Sequence, residues 1–128
     1  MVIDTSALLA VLLEEPERPA LIAATTGAVL MAPSSLPWEV GNALVAAVRR
    51  HRLTSAEANR AWVAYEAVPL RLAEVDIGRA VATALHLGLY AYDAYMLELA
   101  RQRDLPLLTL DQRLAAAAVT NGLTLVEY

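Results

Sequence analysis

The 128-residue sequence contains neither lysine nor cysteine. Without cysteine there is no disulfide framework, no thiolate zinc site and no cysteine nucleophile. Without lysine there is no G-x-x-x-x-G-K phosphate loop. The five glycines (Gly27, Gly41, Gly78, Gly88, Gly122) form no G-x-G-x-x-G either, which disfavours a dinucleotide fold. No apolar run reaches the ~18 residues needed to span a bilayer. Asp4 interrupts the N-terminus too early for a signal peptide, so a cytoplasmic enzyme or binding protein is the expectation. Histidine is limited to His51 and His86. His51 suits a helix C-terminus and His86 the polar side of a helix.

What is present is apolar and helix-forming. Hydrophobic residues make up 58% of the chain, led by 26 Ala and 23 Leu, against a usual ~45–50%. A single domain of this length, residues 1–128, buries a real core, and the apolar excess leaves room for a homo-oligomeric interface. The net charge is −4, from 14 acidic residues and 10 arginines. Setting aside four carboxylates, Asp4, Glu39, Asp93 and Asp111, leaves 10 acids against 10 arginines (14 − 4 = 10). The acidity of the chain thus equals one candidate site, and a negative total argues only weakly against a nucleic-acid partner.

Apolar periodicity and capping residues predict alternating strands and helices. Met1 to Ile3 reads as a short strand, Ser6 to about Glu15 and Glu17 to Thr26 as helices, and Val29 to Ala32 as a strand. A helix opened by Pro33 and Pro37 closes at Arg49-Arg50-His51-Arg52. Thr54 and Glu57 form a capping box for a helix to about Ala67, and Leu70 to Val75 alternates as a strand. Asp76 caps a helix to Leu87, where Gly88 suits the C-terminal turn. Tyr92 to Arg103 is a helix, Leu105 to Leu110 a strand, Gln112 to Val119 a helix and Leu123 to Val126 a last strand. Strands separated by helices, with few hairpin signals, predict an α/β fold with a mostly parallel sheet covered on both faces.

The four carboxylates sit badly with a purely structural role. Asp93 shares a helix face with Met96, Leu97 and Ala100, whereas Glu98, Arg101 and Gln102 occupy the side where charge belongs. Glu39 lies beside Leu36, Val40 and Ala43, with Asn42 able to extend a polar site. Asp4 and Asp111 each follow an apolar strand and precede a helix, with Thr5 and Ser6 beside the first. Each has a bland alternative: helix capping for Asp4, Asp111 and Asp93, and the favourable helix dipole for Glu39. Together they account for every carboxylate that a solvated face or helix end does not explain. All four fall near the carboxyl ends of strands or the starts of helices, the edge where parallel sheets keep their sites.

Two like charges ~4 Å apart repel by about 4 kcal/mol at an effective dielectric near 20. With no lysine, and no arginine placed in these segments to neutralise them, either some carboxylates hold protons or Mg²⁺ or Mn²⁺ sits among them. Hard cations prefer oxygen ligands, and such a site can activate water for in-line displacement at phosphorus. Receiver domains and haloacid-dehalogenase-type phosphatases also place an aspartate after their first strand, but both use a lysine that this chain lacks.

Four segments, Val2-Ile3-Asp4-Thr5-Ser6, Leu36-Pro37-Trp38-Glu39-Val40, Tyr92-Asp93-Ala94-Tyr95 and Thr109-Leu110-Asp111-Gln112-Arg113-Leu114, resemble in order the acidic motifs of PIN-domain ribonucleases. Among these, the VapC-type toxins of toxin–antitoxin pairs are the nearest group. The resemblance implies a three-layer α/β/α sandwich around a short, mostly parallel sheet. It implies a Mg²⁺ or Mn²⁺ site formed by Asp4, Glu39, Asp93 and Asp111, with the hydroxyls of Thr5, Ser6 and Thr109 beside it. It further implies endonucleolytic cleavage of RNA, a cognate antitoxin whose C-terminal segment occupies the toxin groove, and a homodimer. Only three residues precede Asp4, so the first strand is very short or translation starts upstream. Two other classes remain open: a PIN-like module that binds RNA or protein without cutting, and a metal-dependent phosphatase of small phosphoesters.

Overall fold

The short apolar runs assemble into a four-stranded, wholly parallel sheet with the strand order β3-β2-β1-β4. The computed structural model covers residues 1–128. Its strands are β1 (Val2–Ile3), β2 (Leu30–Pro33), β3 (Leu70–Ala73) and β4 (Leu107–Leu108). Between and after them run α1 (Thr5–Leu12), α2 (Arg18–Thr25), α3 (Leu36–Arg49), α4 (Ser55–Glu66), α5 (Ile77–Leu87), α6 (Ala91–Arg103) and α7 (Gln112–Thr120). The result is a three-layer α/β/α fold. No helix is long and apolar enough to cross a membrane.

The centre of the sheet is buried from both sides, which is why β1 and β4 are apolar without alternation, whereas the edge strand β3 exposes Arg71 and Leu72. Val2, Ile3, Leu107 and Leu108 are inaccessible or nearly so and pack in one core with Leu8, Leu36, Val40 and Leu99. In the register, Val2 lies between Met31 of β2 and Leu107 of β4, and Ile3 lies beside Leu108. The chain leaves β1 toward β2 and β3 on one side, whereas β4 arrives on the other. The strand order therefore reverses at β1, and a crevice opens beyond the carboxyl ends of β1 and β4.

Local sequence sets most helix ends. The Thr54 side chain accepts from the Glu57 amide and the Glu57 carboxylate accepts from the Thr54 amide, completing the capping box. Asp76 accepts from the Arg79 amide at 3.0 Å. Gly88 ends α5 at φ +66°, a left-handed conformation that costs glycine nothing. The expected last strand, Leu123 to Val126, is reduced to one parallel bridge between Leu107 and Leu125. Its two bonds, from the Leu107 amide to the Thr124 carbonyl and from the Val126 amide to the Leu107 carbonyl, both fall on the two-residue β4.

Glu98 corrects the sequence reading. Expected on a solvated face, it is only 3% exposed. α6 is packed against β1, β2, β4, α5 and α7, so it has no wide wet side on which to place a charge. The Glu98 carboxylate instead accepts two hydrogen bonds from Arg101, at 2.6 and 3.0 Å, and lies 3.6 Å from Arg79 of α5. A buried charge stripped of its partner is costly, whereas an exposed arginine stripped of its partner returns to water. Arg101→Met is therefore expected to lower the melting temperature by roughly 5 °C, and Glu98→Gln by clearly less. Thermal melts of the two variants check the order; a larger loss in Glu98→Gln would contradict it.

Candidate active site

Each of the four sequence-flagged carboxylates belongs to the first turn or the N-cap of a different helix, so each faces the positive end of a helix dipole. Asp4 caps α1 and Asp111 caps α7, while Glu39 and Asp93 lie in the first turns of α3 and α6. The capping alternatives for Asp4 and Asp111 hold as local structure. Asp111 Oδ1 accepts from the amides of Arg113 at 2.8 Å and Leu114 at 3.0 Å, and Asp4 Oδ1 from the Ser6 amide at 2.6 Å. Capping engages one oxygen of each and does not withdraw the charge from the crevice. Asp93 does not cap its helix; Tyr90 holds that position.

Asp4 is the most enclosed of the four, at 6% exposure. Its second oxygen accepts from Ser6 Oγ at 2.8 Å and from Thr109 Oγ1. Thr109 Oγ1 in turn accepts from the Asp111 amide at 3.0 Å, and Ser6 Oγ from the Leu110 amide at 3.0 Å. These bonds tie the end of β1 to the end of β4, across the point where the strand order reverses. Glu39 is held from two directions, by Thr5 Oγ1 at 3.0 Å and Ser35 Oγ at 2.9 Å. Thr5, Ser6 and Thr109 thus stand in this network, whereas Asn42 is exposed and its side chain does not join it. Ser35 was missed. It precedes α3, where a serine normally caps, but it makes no capping bond and gives its hydroxyl to Glu39 instead. A serine four residues before a suspect glutamate was the available signal.

The electrostatics show that the acids crowd one another. Burial is the main cause that pushes Asp4, Glu39 and Asp93 above the ordinary carboxylate range. Neighbouring charge adds to it: Asp111 acts on Asp4, Asp4 and Asp93 act on Glu39, and Asp111 and Asp4 act on Asp93. Donated hydrogen bonds pull Asp4 and Glu39 back down. Asp93 has no such bond, and only the charge of Arg113 opposes its rise. Arg113, anchored on the Gly88 carbonyl at 2.7 Å, corrects the expectation that no arginine approaches the cluster. One guanidinium against four carboxylates still leaves a net negative crevice.

The donor set is all oxygen, with no imidazole or thiolate, which is the chemistry of a hard cation. No three of these side chains close tightly enough to enclose an ion by themselves. The donor chemistry fits a hard divalent cation that keeps part of its water shell.

Comparison with known proteins gives the same frame. The family model described as PIN domain matches residues 1–120. PIN domains are in general metal-dependent nucleases, hydrolases acting on nucleic acid. No curated protein matches the chain. Among solved structures, the crystal structure of PAE2754 from Pyrobaculum aerophilum is similar, with 26% identity and a TM-score of 0.70 over 91% of this chain and 77% of that one. A match over nearly the whole length, on a parallel sheet whose strand order reverses beside Asp4, leaves one conclusion: this chain belongs to the PIN-domain family.

Proposed function

We propose that this chain is a Mg²⁺- or Mn²⁺-dependent endoribonuclease acting as the toxin of a toxin–antitoxin pair. The observation that carries the reading is the meeting of Asp4, Glu39, Asp93 and Asp111, drawn from four helices, in one undercompensated negative crevice. Capping explains one oxygen each of Asp4 and Asp111, but it does not explain why four carboxylates face one another, an arrangement that costs the fold through mutual repulsion. Asp4, Glu39, Asp93 and Asp111 would hold the cation, which supplies charge neutralisation at the scissile phosphate and activates water. The chain's own part is to hold these carboxylates in place. Thr109 and Ser6 fix the orientation of Asp4, and Ser35 and Thr5 fix that of Glu39. Asp93, free of hydrogen bonds, keeps its oxygens available.

The finer assignments rest on the four motifs quoted above. They support a single-domain toxin, cytoplasmic and homodimeric, restrained by an antitoxin segment lying in its groove. A silent PIN-like binding module is disfavoured because all four acids are retained, and loss of metal ligands is the usual route to inactivity. The discriminating experiment offers nuclease-free protein an end-labelled structured RNA and a chromogenic phosphate ester, each with Mg²⁺, Mn²⁺ or chelator. Internal cuts in the RNA, dependent on the cation, are expected. Turnover of the ester alone would make the chain a phosphatase, and turnover of neither would make it a binding module. A small adjacent gene encoding a DNA-binding protein would identify the antitoxin.

A further inference from the structure

One groove of about 630 Å³ joins the acidic crevice to the far end of α3. Ser6 and Asp111 line it, and so do Arg50 and Arg52. α1 and α3 begin at the same place, pinned by the bond from Thr5 Oγ1 to Glu39, and α3 carries the groove wall away from the site for roughly 20 Å at 1.5 Å per residue. Ala43 and Ala47 face the groove from α3, and their small side chains keep it open along its length.

The end of α3 is built so that two arginines reach this groove together. The His51 amide donates to the Val48 carbonyl at 3.0 Å and the Arg52 amide to the Ala47 carbonyl at 2.9 Å, the paired bonds of a Schellman motif. That motif needs a left-handed residue at its centre, and His51 takes it at φ +58°, at a cost of ~1–2 kcal/mol for a residue with a Cβ. The reversal brings Arg52 back alongside Arg50. Arg49, the adjacent residue in sequence, lines a separate groove between α3 and α4 with Val45 and Trp62. Both ion pairs of the chain involve Glu98, so Arg50 and Arg52 hold no carboxylate. Glu15 lines the same groove and pairs with neither.

We propose that Arg50 and Arg52, but not Arg49, form a phosphate-holding subsite for the RNA strand in the groove leading from the acidic crevice. The inference rests on the endoribonuclease reading and deepens it by assigning where the substrate backbone is held. Unpaired guanidinium groups present a planar fork of donors that matches phosphate oxygens, and phosphate contacts hold a strand in register without reading its sequence. Two carboxylates line the groove, Glu15 and Asp111; Asp111 belongs to the crevice, so away from it two arginines face one acid, and a polyanion entering from the crevice finds its compensating charge there.

The test measures binding of a short fluorescein-labelled, unstructured oligoribonucleotide by anisotropy, over a range of NaCl, with chelator present so that nothing is cut. Each phosphate contact on a single strand contributes about 0.7 to the log–log salt slope. Arg50→Gln/Arg52→Gln is expected to flatten the slope by about 1.4 and weaken binding at low salt at least tenfold, with the melting temperature retained. Arg49→Gln should bind as the wild type does. An unchanged slope in the double variant, or an equal loss in Arg49→Gln, would overturn the subsite. Cleavage in Mg²⁺ or Mn²⁺ is scored separately. RNA cut by a double variant with an unaltered slope sinks the subsite alone. A flattened slope in a protein that never cuts RNA supports the subsite and sinks the nuclease reading.

Discussion

Asp93→Asn is expected to reduce RNA cleavage by on the order of 10²–10³-fold or more, the scale set by removing one charge-stabilising group from a reaction centre. The fold should survive with a melting temperature equal to or slightly above that of the wild type. Two effects compete in that second statement. A carboxylate in the first turn of α6 gains something from the helix dipole, ~0.3–1 kcal/mol when exposed, and Asn forfeits it. Against this, burial first, then the charges of Asp111 and Asp4, make the ionised form of Asp93 unfavourable and raise its pKa despite Arg113. Asn removes that penalty while keeping the shape. Asp93 makes no hydrogen bond that the amide must replace, so the variant tests charge and little else. Full cleavage activity in a nuclease-free preparation would remove Asp93 from the site.

Mg²⁺ or Mn²⁺ is expected to stabilise the wild type at neutral pH by about 2.7 kcal/mol once the ion reaches a hundredfold excess over its dissociation constant. Asp4→Asn/Asp111→Asn should respond far less. The double variant ought to fold, because Asn caps helices about as well as Asp, and the hydroxyls of Ser6 and Thr109 can rotate to meet the new amide. The same crowding gives the ion-free protein a pH dependence of defined sign. The folded-state pKa values of Asp4, Glu39 and Asp93 lie above their ordinary values of 3.8, 4.5 and 3.8. Their contribution is therefore fully present below those ordinary values and is lost as pH rises through the raised ones. In chelator, acidifying from neutral toward the carboxylate range should raise the melting temperature, and the double variant should show a weaker rise. Melting curves with and without the ion, at several pH values, read both effects. Equal metal shifts in the two proteins would place the ion elsewhere.

Much of this molecule was legible in its residues because the signals were local. The Thr54–Glu57 capping box, the Asp76 cap and the left-handed Gly88 each depend on a few consecutive residues, and backbone sterics decide such contacts wherever the segment sits. Glu39 and Asp93 stood out because a carboxylate among apolar helix-face residues is expensive enough to leave a trace in the pattern, and Asp4 and Asp111 because each follows an apolar strand where such sheets keep their sites. The order of strands and helices followed from apolar periodicity, and with it a parallel sheet with an edge for the site.

Only the tertiary structure decided the rest, and in each case a distant surface changed the meaning of a local pattern. Helical periodicity assigned Glu98 to water on the assumption that α6 has a wet face. Packing of α5 and α7 removes that face, and Arg79 and Arg101 supply the compensation. Ser35 reads as a cap until Glu39 is seen to accept its hydroxyl. The Leu123–Val126 segment has the composition of a strand, but its neighbour β4 is only two residues long and the segment makes one bridge to it. Arg49, Arg50 and Arg52 form one cluster in sequence. Helical rotation puts Arg49 on the α3–α4 groove and Arg50 on the groove that leads to the acidic crevice, and the left-handed turn at His51 brings Arg52 back beside Arg50. Sequence by itself determined which residues carry charge against their surroundings; only the packing of helices around the sheet determined which of those charges face each other.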